Sequence, residues 1–322
     1  MGWNVYSLVI RSGEEVAMKR ALVFPGQGSQ YVGMGKDLYE GNSDARKIFE
    51  RADEVLGFSL SKLCFDGSDE ELKQTQNTQP ALFVHSLAVF AMLKQYAFDM
   101  VAGHSLGEYT ALVVAGALSF EDGLKLVRLR GELMQKAGVE NPGTMAAIIG
   151  LESELVKKLC EEAQIAGIVQ PANFNSPGQI VISGSVSGVR KAMELAKEHG
   201  AKMAKELSVS GAFHSPLMEP AVKGLEQGLR NVTIHDARVP VYSNVTALPI
   251  TSAQEIRSAL VRQLTNSVRW EESVRNMIVD GATEFVEIGA GKVLQGLIKR
   301  INSNVAVHGI EKLSDVELMN SK

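Results

Sequence analysis

Short apolar runs alternate with longer helical patterns along most of the 322-residue chain. Strands that alternate with helices in this way form parallel sheets with helices on both faces. Outside residues 143–209, we predict strands at 20–24, 100–102, 239–243 and 284–288, and helices at 36–55, 80–96, 108–115, 121–137, 216–230, 253–264, 270–280 and from 293 onward. Pro80 is expected in the first turn of its helix. The pattern predicts an α/β fold on a parallel sheet.

The order of predicted strands and helices changes between residues 143 and 209. There the predicted elements are strands at 144–150, 168–174, 179–184 and 202–208 and helices at 153–164 and 187–199. Their order, βαββαβ, is that of a ferredoxin-like unit. We therefore expect an α/β core, residues 19–142 and 210–315, interrupted by a ferredoxin-like subdomain at 143–209.

The amino-terminal segment has an apolar patch at residues 3–10 but no basic stretch before it, which excludes a signal peptide pattern. Because Met18 leads directly into a strand, we expect it to be the natural start and the first 17 residues to be an upstream extension. We expect residues 1–18 to lie outside the fold. The two cysteines, Cys64 and Cys160, lack metal-ligand spacing. They are typical of reduced thiols in a cytoplasmic protein.

Charge is nearly balanced, with 33 Lys and Arg against 37 Asp and Glu and a net charge of −4. No long run of either sign occurs. Neither nucleic acid nor an anionic membrane is therefore an expected partner.

The strongest local motif is GHSLG at residues 103–107, which fits G-x-S-x-G. An apolar strand precedes it and a helical pattern follows, the context in which a tight turn exposes a serine hydroxyl at the carboxyl edge of a sheet. The two glycines permit that turn and close packing. The motif predicts Ser105 as a nucleophile, with an ordinary serine in a glycine-flanked turn as the alternative.

A serine nucleophile requires a base, and the best candidate among six histidines is His214. It lies between a predicted strand and a helix that begins at Pro216, in a loop expected at the same sheet edge as Ser105. His85 lies in an apolar helix and His104 adjoins the serine in a strained turn, so both are interpreted as structural.

Two glycine-rich loops could suggest nucleotide binding. Tyr31 and Leu294 stand where G-x-G-x-x-G requires its last glycine, and Met34 stands where a Walker motif requires lysine. Nucleotide binding is therefore not supported. The loop after the first strand is better placed to contribute to an oxyanion hole.

The chain resembles the malonyl-CoA:acyl-carrier-protein transacylases from about residue 19 to residue 301. The resemblance rests on six motifs in the same order: FPGQGSQ at 24–30, GHSLGEY at 103–109, RLRG at 128–131, ANFNSPGQ at 172–179, GAFHS at 211–215 and VRW at 268–270. It implies an α/β-hydrolase-like core with an inserted ferredoxin-like subdomain.

The resemblance also implies roles for individual residues. Ser105 would attack the malonyl thioester and His214 would accept its proton. The backbone N–H groups of Gln27 and Leu106 would stabilise the oxyanion. Arg130 would bind the malonyl carboxylate through a two-pronged ion pair. Without the resemblance, a solvated charge on a helix would be the preferred interpretation of Arg130.

Three further residues are expected to support the site: Gln263, Asn173 and Phe213. The resemblance implies that the backbone carbonyl of Gln263 orients the histidine. Leu106 and the Ala-Phe-His string that ends at residue 214 accompany malonyl selection in the family, and a bulky Phe213 would crowd an α-methyl group. Two departures from the family pattern, Ser267 and Ala290, put the local geometry near Gln263 in doubt.

The implied function is transfer of malonyl from malonyl-CoA to the phosphopantetheine thiol of acyl carrier protein. It would follow a ping-pong mechanism through malonyl-Ser105 and supply extender units for fatty acid synthesis. Malonyl-CoA and the carrier protein are the expected partners of a monomer that needs no cofactor and no metal.

Three alternatives remain: a polyketide-pathway acyltransferase, a serine hydrolase such as a thioesterase or lipid acyl hydrolase, and a non-catalytic module that binds carrier protein. Arg130 disfavours a hydrolase of neutral acyl chains, which would gain nothing from a buried cation. The intact pair of Ser105 and His214 disfavours a non-catalytic module.

Overall fold

The structure is a computed structural model that describes residues 19–93 and 96–321. The expected extension at residues 1–18 lies outside these described residues. Within them, no helix combines the length and the apolar character needed to cross a membrane.

The strands are β1 Lys19–Phe24, β2 Met100–Gly103, β3 Gly143–Ile149, β4 Val169–Ser176, β5 Gln179–Ser185, β6 Met203–Glu206, β7 Val241–Tyr242, β8 Pro249–Ile250, β9 Ala282–Ile288 and β10 Ala306–Ile310. The α-helices are α1 Lys36–Gly41, α2 Ser43–Leu56, α3 Leu60–Asp66, α4 Asp69–Lys73, α5 Thr75–Met92, α6 Gly107–Val114, α7 Phe120–Glu140, α8 Ser153–Ala163, α9 Val186–Glu198, α10 Glu219–Arg230, α11 Ala253–Gln263, α12 Trp270–Val279, α13 Val293–Ile301 and α14 Leu313–Asn320. Short 3₁₀ turns occupy Gln164–Ala166 and Pro216–Met218.

A six-stranded sheet forms the centre of the larger part of the fold. Its strand order is β10-β9-β1-β2-β7-β8, and every neighbouring pair is parallel except β7 and β8. Strands β1 and β2 are central, and all four residues of β2 are buried. Such near-continuous apolar strands are typical of a parallel sheet covered on both faces. The predicted α/β fold with a parallel sheet is confirmed.

The second sheet has the strand order β4-β5-β3-β6 and is antiparallel throughout. Helices α8 and α9 cover one face, and the apolar side chains between the sheet and these helices form a separate hydrophobic cluster that spans residues 146–204. The predicted ferredoxin-like order is confirmed.

The opposite face of the small sheet packs toward the core. Met145, Ala172 and Val181 belong to the large hydrophobic cluster of the parallel-sheet part. A short parallel bridge joins the two parts, because Phe174 N–H donates to the carbonyl of Val268 at 2.9 Å and Val268 N–H donates to that of Ala172 at 2.8 Å. The two sheets therefore have a fixed junction.

Two predicted helices differ most from the observed ones, and each difference has a local cause. The helix predicted at 36–55 is broken at Asn42, which is extended and whose side chain caps α2 by accepting from the N–H groups of Asp44 and Ala45. The helix predicted to begin near Pro80 begins at Thr75 instead. Proline is tolerated inside it because the carbonyl of Gln76, one turn earlier, accepts from Arg128 at 2.9 Å.

Several elements were not predicted: α3, α4, β8, β10 and α14. Most are short, and β8 has only two residues. Strand β10 is an edge strand whose side chains are mostly exposed, so it lacks the apolar run of a central strand. The last helix, α14, runs through residue 315, where we expected the core to end.

Candidate active site

The turn between β2 and α6 carries Ser105 at the carboxyl edge of the parallel sheet. Its φ of 51° lies in the left-handed region, which a non-glycine residue occupies only at a cost of about 1–3 kcal/mol. Both flanking glycines are needed: a Cβ on Gly103 would clash with the backbone of Gly107, and a Cβ on Gly107 would clash with the carbonyl of Phe24. The geometry is that of a nucleophile elbow.

His214 faces the serine from the loop before α10. Its Nε2 lies 2.8 Å from Ser105 Oγ, and its Nδ1 lies 2.9 Å from the backbone carbonyl of Gln263. Since a carbonyl only accepts, Nδ1 carries the proton and Nε2 is free to accept one from the serine. Like Ser105, His214 has a left-handed backbone, with φ 58°.

The histidine is held in its neutral form. Burial is the main cause and the nearby charge of Arg130 the second, and together they lower the pKa of His214 to about 3. A neutral imidazole can act as a base, so the environment favours that role.

Arg130, on α7, is buried with only 1% of its surface exposed. The interpretation of this residue as a solvated helix charge is therefore wrong. Its Nη1 donates to Gln79 Oε1 at 2.8 Å, and its Nη2 donates to Gln263 Oε1 at 2.9 Å and to Ser105 Oγ at 3.1 Å. Within the described residues, its buried Nε has no hydrogen-bond partner.

The side chain of Gln263 links this arginine to a buried carboxylate. Its Nε2 donates to Glu108 Oε2 at 2.6 Å and to the carbonyl of Ser105 at 3.0 Å. Burial raises the pKa of Glu108 to about 7, against the opposing effect of its hydrogen bonds and of Arg130.

Ser267, one of the two departures from the family pattern, donates through Oγ to the carbonyl of Pro171 at 2.6 Å.

The two expected oxyanion donors both line the cavity at the serine. Neither the Gln27 N–H nor the Leu106 N–H donates to a protein acceptor among the described residues. By contrast, the Ser105 N–H is occupied by Asn244 Oδ1 at 2.7 Å. Leu106 stands immediately before α6, where the free amides of a first helical turn favour negative charge.

The elbow opens into a cavity of about 200 Å³ at the junction of the two sheets. The core contributes the residues described above, and the small sheet contributes Asn173, Asn175 and Val181. Asn173 is 6% exposed and lies in the bridge to Val268, while Phe213 forms part of the wall beside His214. All eight residues predicted for the site line this cavity or contact its lining, since Gln263 binds His214, Arg130 and Ser105.

Four residues of the site were not predicted: Gln79, Glu108, Asn175 and Asn244. Glu108 and Asn175 lie within quoted motifs and Gln79 lies in none, and a polar residue in a motif does not indicate its partner. Asn175 Oδ1 lies 2.8 Å from Nε2 of His104, whose ring centroid is 5.7 Å from that of Trp270. Asn244 has no motif, and only its position just beyond β7 at the carboxyl edge of the sheet could have indicated it.

The chain is similar to known proteins over most of its length. Residues 21–317 match the family model described as an acyl transferase domain. The malonyl CoA-acyl carrier protein transacylase of Bacillus subtilis (strain 168) is 50% identical over 303 residues, which cover 93% of this chain and 96% of that relative.

Solved structures agree with this similarity. The acyl-carrier-protein-S-malonyltransferase from Bartonella henselae superposes with a TM-score of 0.91 at 42% identity, over 94% of this chain and 99% of that one. A malonyl-transacylase solved in complex with its type II PKS acyl-carrier protein has a TM-score of 0.89 at 42% identity, over 93% of this chain and 98% of the matched chain.

Proposed function

The chain belongs to the malonyl-CoA:acyl-carrier-protein transacylases of the acyl transferase family, and from this premise we propose how its residues carry out the reaction. The enzyme transfers the malonyl group from malonyl-CoA to acyl carrier protein. The observation that carries our proposal for the site is the contact of Ser105, a partly buried residue, with both His214 and Arg130.

In the first half-reaction, Ser105 Oγ attacks the thioester carbon while its proton moves to His214 Nε2. The bond from carbon to sulfur then breaks, and coenzyme A leaves as a thiol with the proton returned by the histidine. The hydrogen bond from Nδ1 to the Gln263 carbonyl keeps the imidazole in the required tautomer and stabilises the transient imidazolium. No carboxylate partner for the histidine is needed.

The oxyanion of the tetrahedral intermediate would be stabilised by the N–H groups of Leu106 and Gln27. Two features support this assignment: both donors lack a protein acceptor, and Leu106 precedes a helix that begins at the reacting centre. A preorganised donor of this kind is worth about 3 kcal/mol of transition-state stabilisation.

Arg130 would bind the free carboxylate of the malonyl group. One methylene separates that carboxylate from the thioester carbon, so its receptor must lie close to the nucleophile, as Arg130 does. The buried Nε of Arg130 still has a hydrogen bond to donate. A carboxylate that replaces or shares a partner of Nη2 would meet the two-pronged edge formed by Nε and Nη2. This favours a malonyl transferase over a hydrolase of neutral acyl chains.

In the second half-reaction, the phosphopantetheine thiol of the carrier protein replaces coenzyme A. His214 accepts the thiol proton, sulfur attacks malonyl-Ser105, and the serine leaves with a proton returned to Oγ. We propose that the product supplies fatty acid synthesis, with a polyketide pathway as the second candidate because one similar structure contains a type II PKS carrier protein.

We assign the selection of malonyl over α-substituted malonyl groups to the residues that line the walls of the cavity. Phe213, beside the base, would crowd an α-substituent, and Asn173 would line the path of the acyl chain. A single methyl group changes binding by only about 1–3 kcal/mol, so the preference for malonyl would be graded rather than absolute.

We further propose that the enzyme works as a monomer in the cytoplasm, with residues 19–142 and 210–315 as the core and 143–209 as the insert. One chain supplies every residue of the site, which supports a monomer. Two free, buried cysteines suit a reducing compartment. Separate sheets and a separate hydrophobic cluster support the division into core and insert.

The proposed roles can be tested by mixing the enzyme with malonyl-CoA alone and mapping the adduct by intact-mass and peptide analysis. We expect one malonyl group on Ser105 and none in Ser105→Ala. An adduct on any other residue, or none in the wild type, would contradict the assignment.

A further inference from the structure

Asn244 holds both sides of the elbow with a single side chain. Its Oδ1 accepts from the Ser105 N–H at 2.7 Å, and its Nδ2 donates to the carbonyl of Gly103 at 2.7 Å. The residue is 1% exposed, so water does not compete for these bonds. The orientation of the amide is determined, because an N–H can be bound only by the oxygen and a carbonyl only by the nitrogen.

The two bonds enclose the strained part of the turn. Gly103 and Ser105 flank His104, and Ser105 has the left-handed φ of 51°. Such a conformation persists only where the surroundings over-determine it. The side-chain amide of Asn244 binds the backbone on both sides of His104. These two hydrogen bonds fix the direction in which the Ser105 side chain leaves the backbone.

The backbone of Asn244 is itself held by hydrogen bonds at its N–H and at its carbonyl. Its N–H donates to Glu108 Oε2 at 3.3 Å, and its carbonyl accepts from the Arg269 N–H at 2.9 Å. The Ser105 N–H is thereby occupied, whereas the next amide along the chain, that of Leu106, donates to no protein acceptor. The same contact therefore determines which amide faces the reacting carbonyl.

We propose that Asn244 is a positioning residue for catalysis: it aligns Ser105 Oγ with His214 and leaves the Leu106 N–H for the oxyanion. This inference rests on the proposed function of Ser105 as the nucleophile. Asn244 does not line the cavity, so its effect should not depend on the acyl group being transferred.

The test compares three variants of the full-length enzyme. Asn244→Ala removes both bonds. Asn244→Asp keeps the volume and the acceptor for the Ser105 N–H but has no donor for the Gly103 carbonyl. Asn276→Ala is the matched control, since Asn276 Nδ2 donates to the carbonyl of Ala247 at 2.9 Å in the neighbouring turn and does not contact the elbow.

The measurements are the single-turnover rates of acylation by malonyl-CoA and by acetyl-CoA, the Kd for malonyl-CoA, and labelling of Ser105 by a fluorophosphonate. For Asn244→Ala we expect both acylation rates and the labelling rate to fall by about 100-fold, the effect of a small misplacement of reacting groups. The Kd should change less than about threefold, because Arg130 is untouched. Asn244→Asp should lie between alanine and wild type, and Asn276→Ala should match wild type.

Wild-type rates in a folded Asn244→Ala, or a loss confined to the Kd, would overturn the inference. Failure of both Asn244 variants to fold would also overturn it, because the residue would then serve folding rather than alignment. The fluorophosphonate separates this result from the proposed function: a wild type that labels at Ser105 but takes no malonyl group contradicts the function and leaves the comparison of variants readable.

Discussion

Nη2 of Arg130 lies 3.1 Å from Oγ of Ser105, so the only buried arginine side chain of the described cavity contacts the proposed nucleophile directly. The same nitrogen also donates to Gln263 Oε1 at 2.9 Å. A substrate carboxylate that reaches this arginine must share or replace these two partners, which couples carboxylate binding to the position of Ser105 Oγ.

Arg130→Ala should abolish the preference for a charged acyl group. We expect the rate constant for acylation by malonyl-CoA to fall by at least about 100-fold, since a charge-assisted two-pronged contact is lost. The ratio of the acylation rate constant for acetyl-CoA, whose acyl group has no carboxylate, to that for malonyl-CoA should increase. Single-turnover acylation with both thioesters measures this ratio, and equal losses on both would indicate a purely structural arginine.

Glu108 should make malonyl binding depend on pH near neutrality. Its pKa is about 7, so above that pH the ionised carboxylate, joined to Arg130 through Gln263, offsets the arginine charge. Below it, Glu108 is neutral and Arg130 attracts the substrate carboxylate more strongly. We expect the Kd for malonyl-CoA to fall about three- to tenfold from pH 8 to pH 6.

Acetyl-CoA provides the control for this prediction, because it carries the same titrating phosphates without the carboxylate. The extra pH dependence of malonyl-CoA should vanish in Glu108→Gln. If it persists in that variant, another group is responsible.

Burial of His214 predicts an unusual acid limb. With its pKa lowered to about 3, the imidazole stays neutral well below the ordinary histidine range, so acylation by acetyl-CoA should show no loss centred near pH 6.5. A profile of the acylation rate constant from about pH 5 to pH 8 tests this. A one-proton loss centred near pH 6.5 that is attributable to His214 would show that the base is ionised in the free enzyme.

Glycine at position 107 should be required for folding. A Cβ there meets the carbonyl oxygens of Phe24 and Pro25, which are backbone atoms and cannot move aside cheaply. We expect Gly107→Ala to lower the free energy of unfolding by about 2 kcal/mol or more.

Gly296→Ala is the matched control for this prediction. Gly296 lies inside α13 with nothing within 4 Å of an added Cβ, so alanine should raise the free energy of unfolding by about 0.5–1 kcal/mol. Urea denaturation compares the two variants, and similar effects of both would contradict the steric argument.

The central strands and the turn at Ser105 could be predicted because their signals are local. The apolar residues of β1 and β2 indicate buried parallel strands, and the glycines around Ser105 mark a turn that other residues cannot make. Two helix boundaries were missed because each depends on a hydrogen bond made by a side chain. The break at Asn42 depends on its side chain, which caps α2, and the early start of α5 depends on Arg128, which donates to the carbonyl of Gln76.

The polar network under the elbow could not be predicted for a related reason. Glu108, Asn244 and Gln263 meet only when α6, the end of β7 and the end of α11 come together. Each residue by itself resembles a surface polar side chain. The buried state of Arg130 likewise depends on Gln79, which is far from it in sequence and accepts a hydrogen bond from its Nη1.

We propose above all that Ser105 passes malonyl to a thiol of the carrier protein rather than to water. The direct measurement is to isolate the malonyl-enzyme free of malonyl-CoA and follow its fate by intact mass, with and without acyl carrier protein that bears phosphopantetheine. We predict an adduct that is stable alone and moves to the carrier protein when it is added. Rapid release of free malonate without an acceptor, with no faster discharge on adding carrier protein, would contradict it.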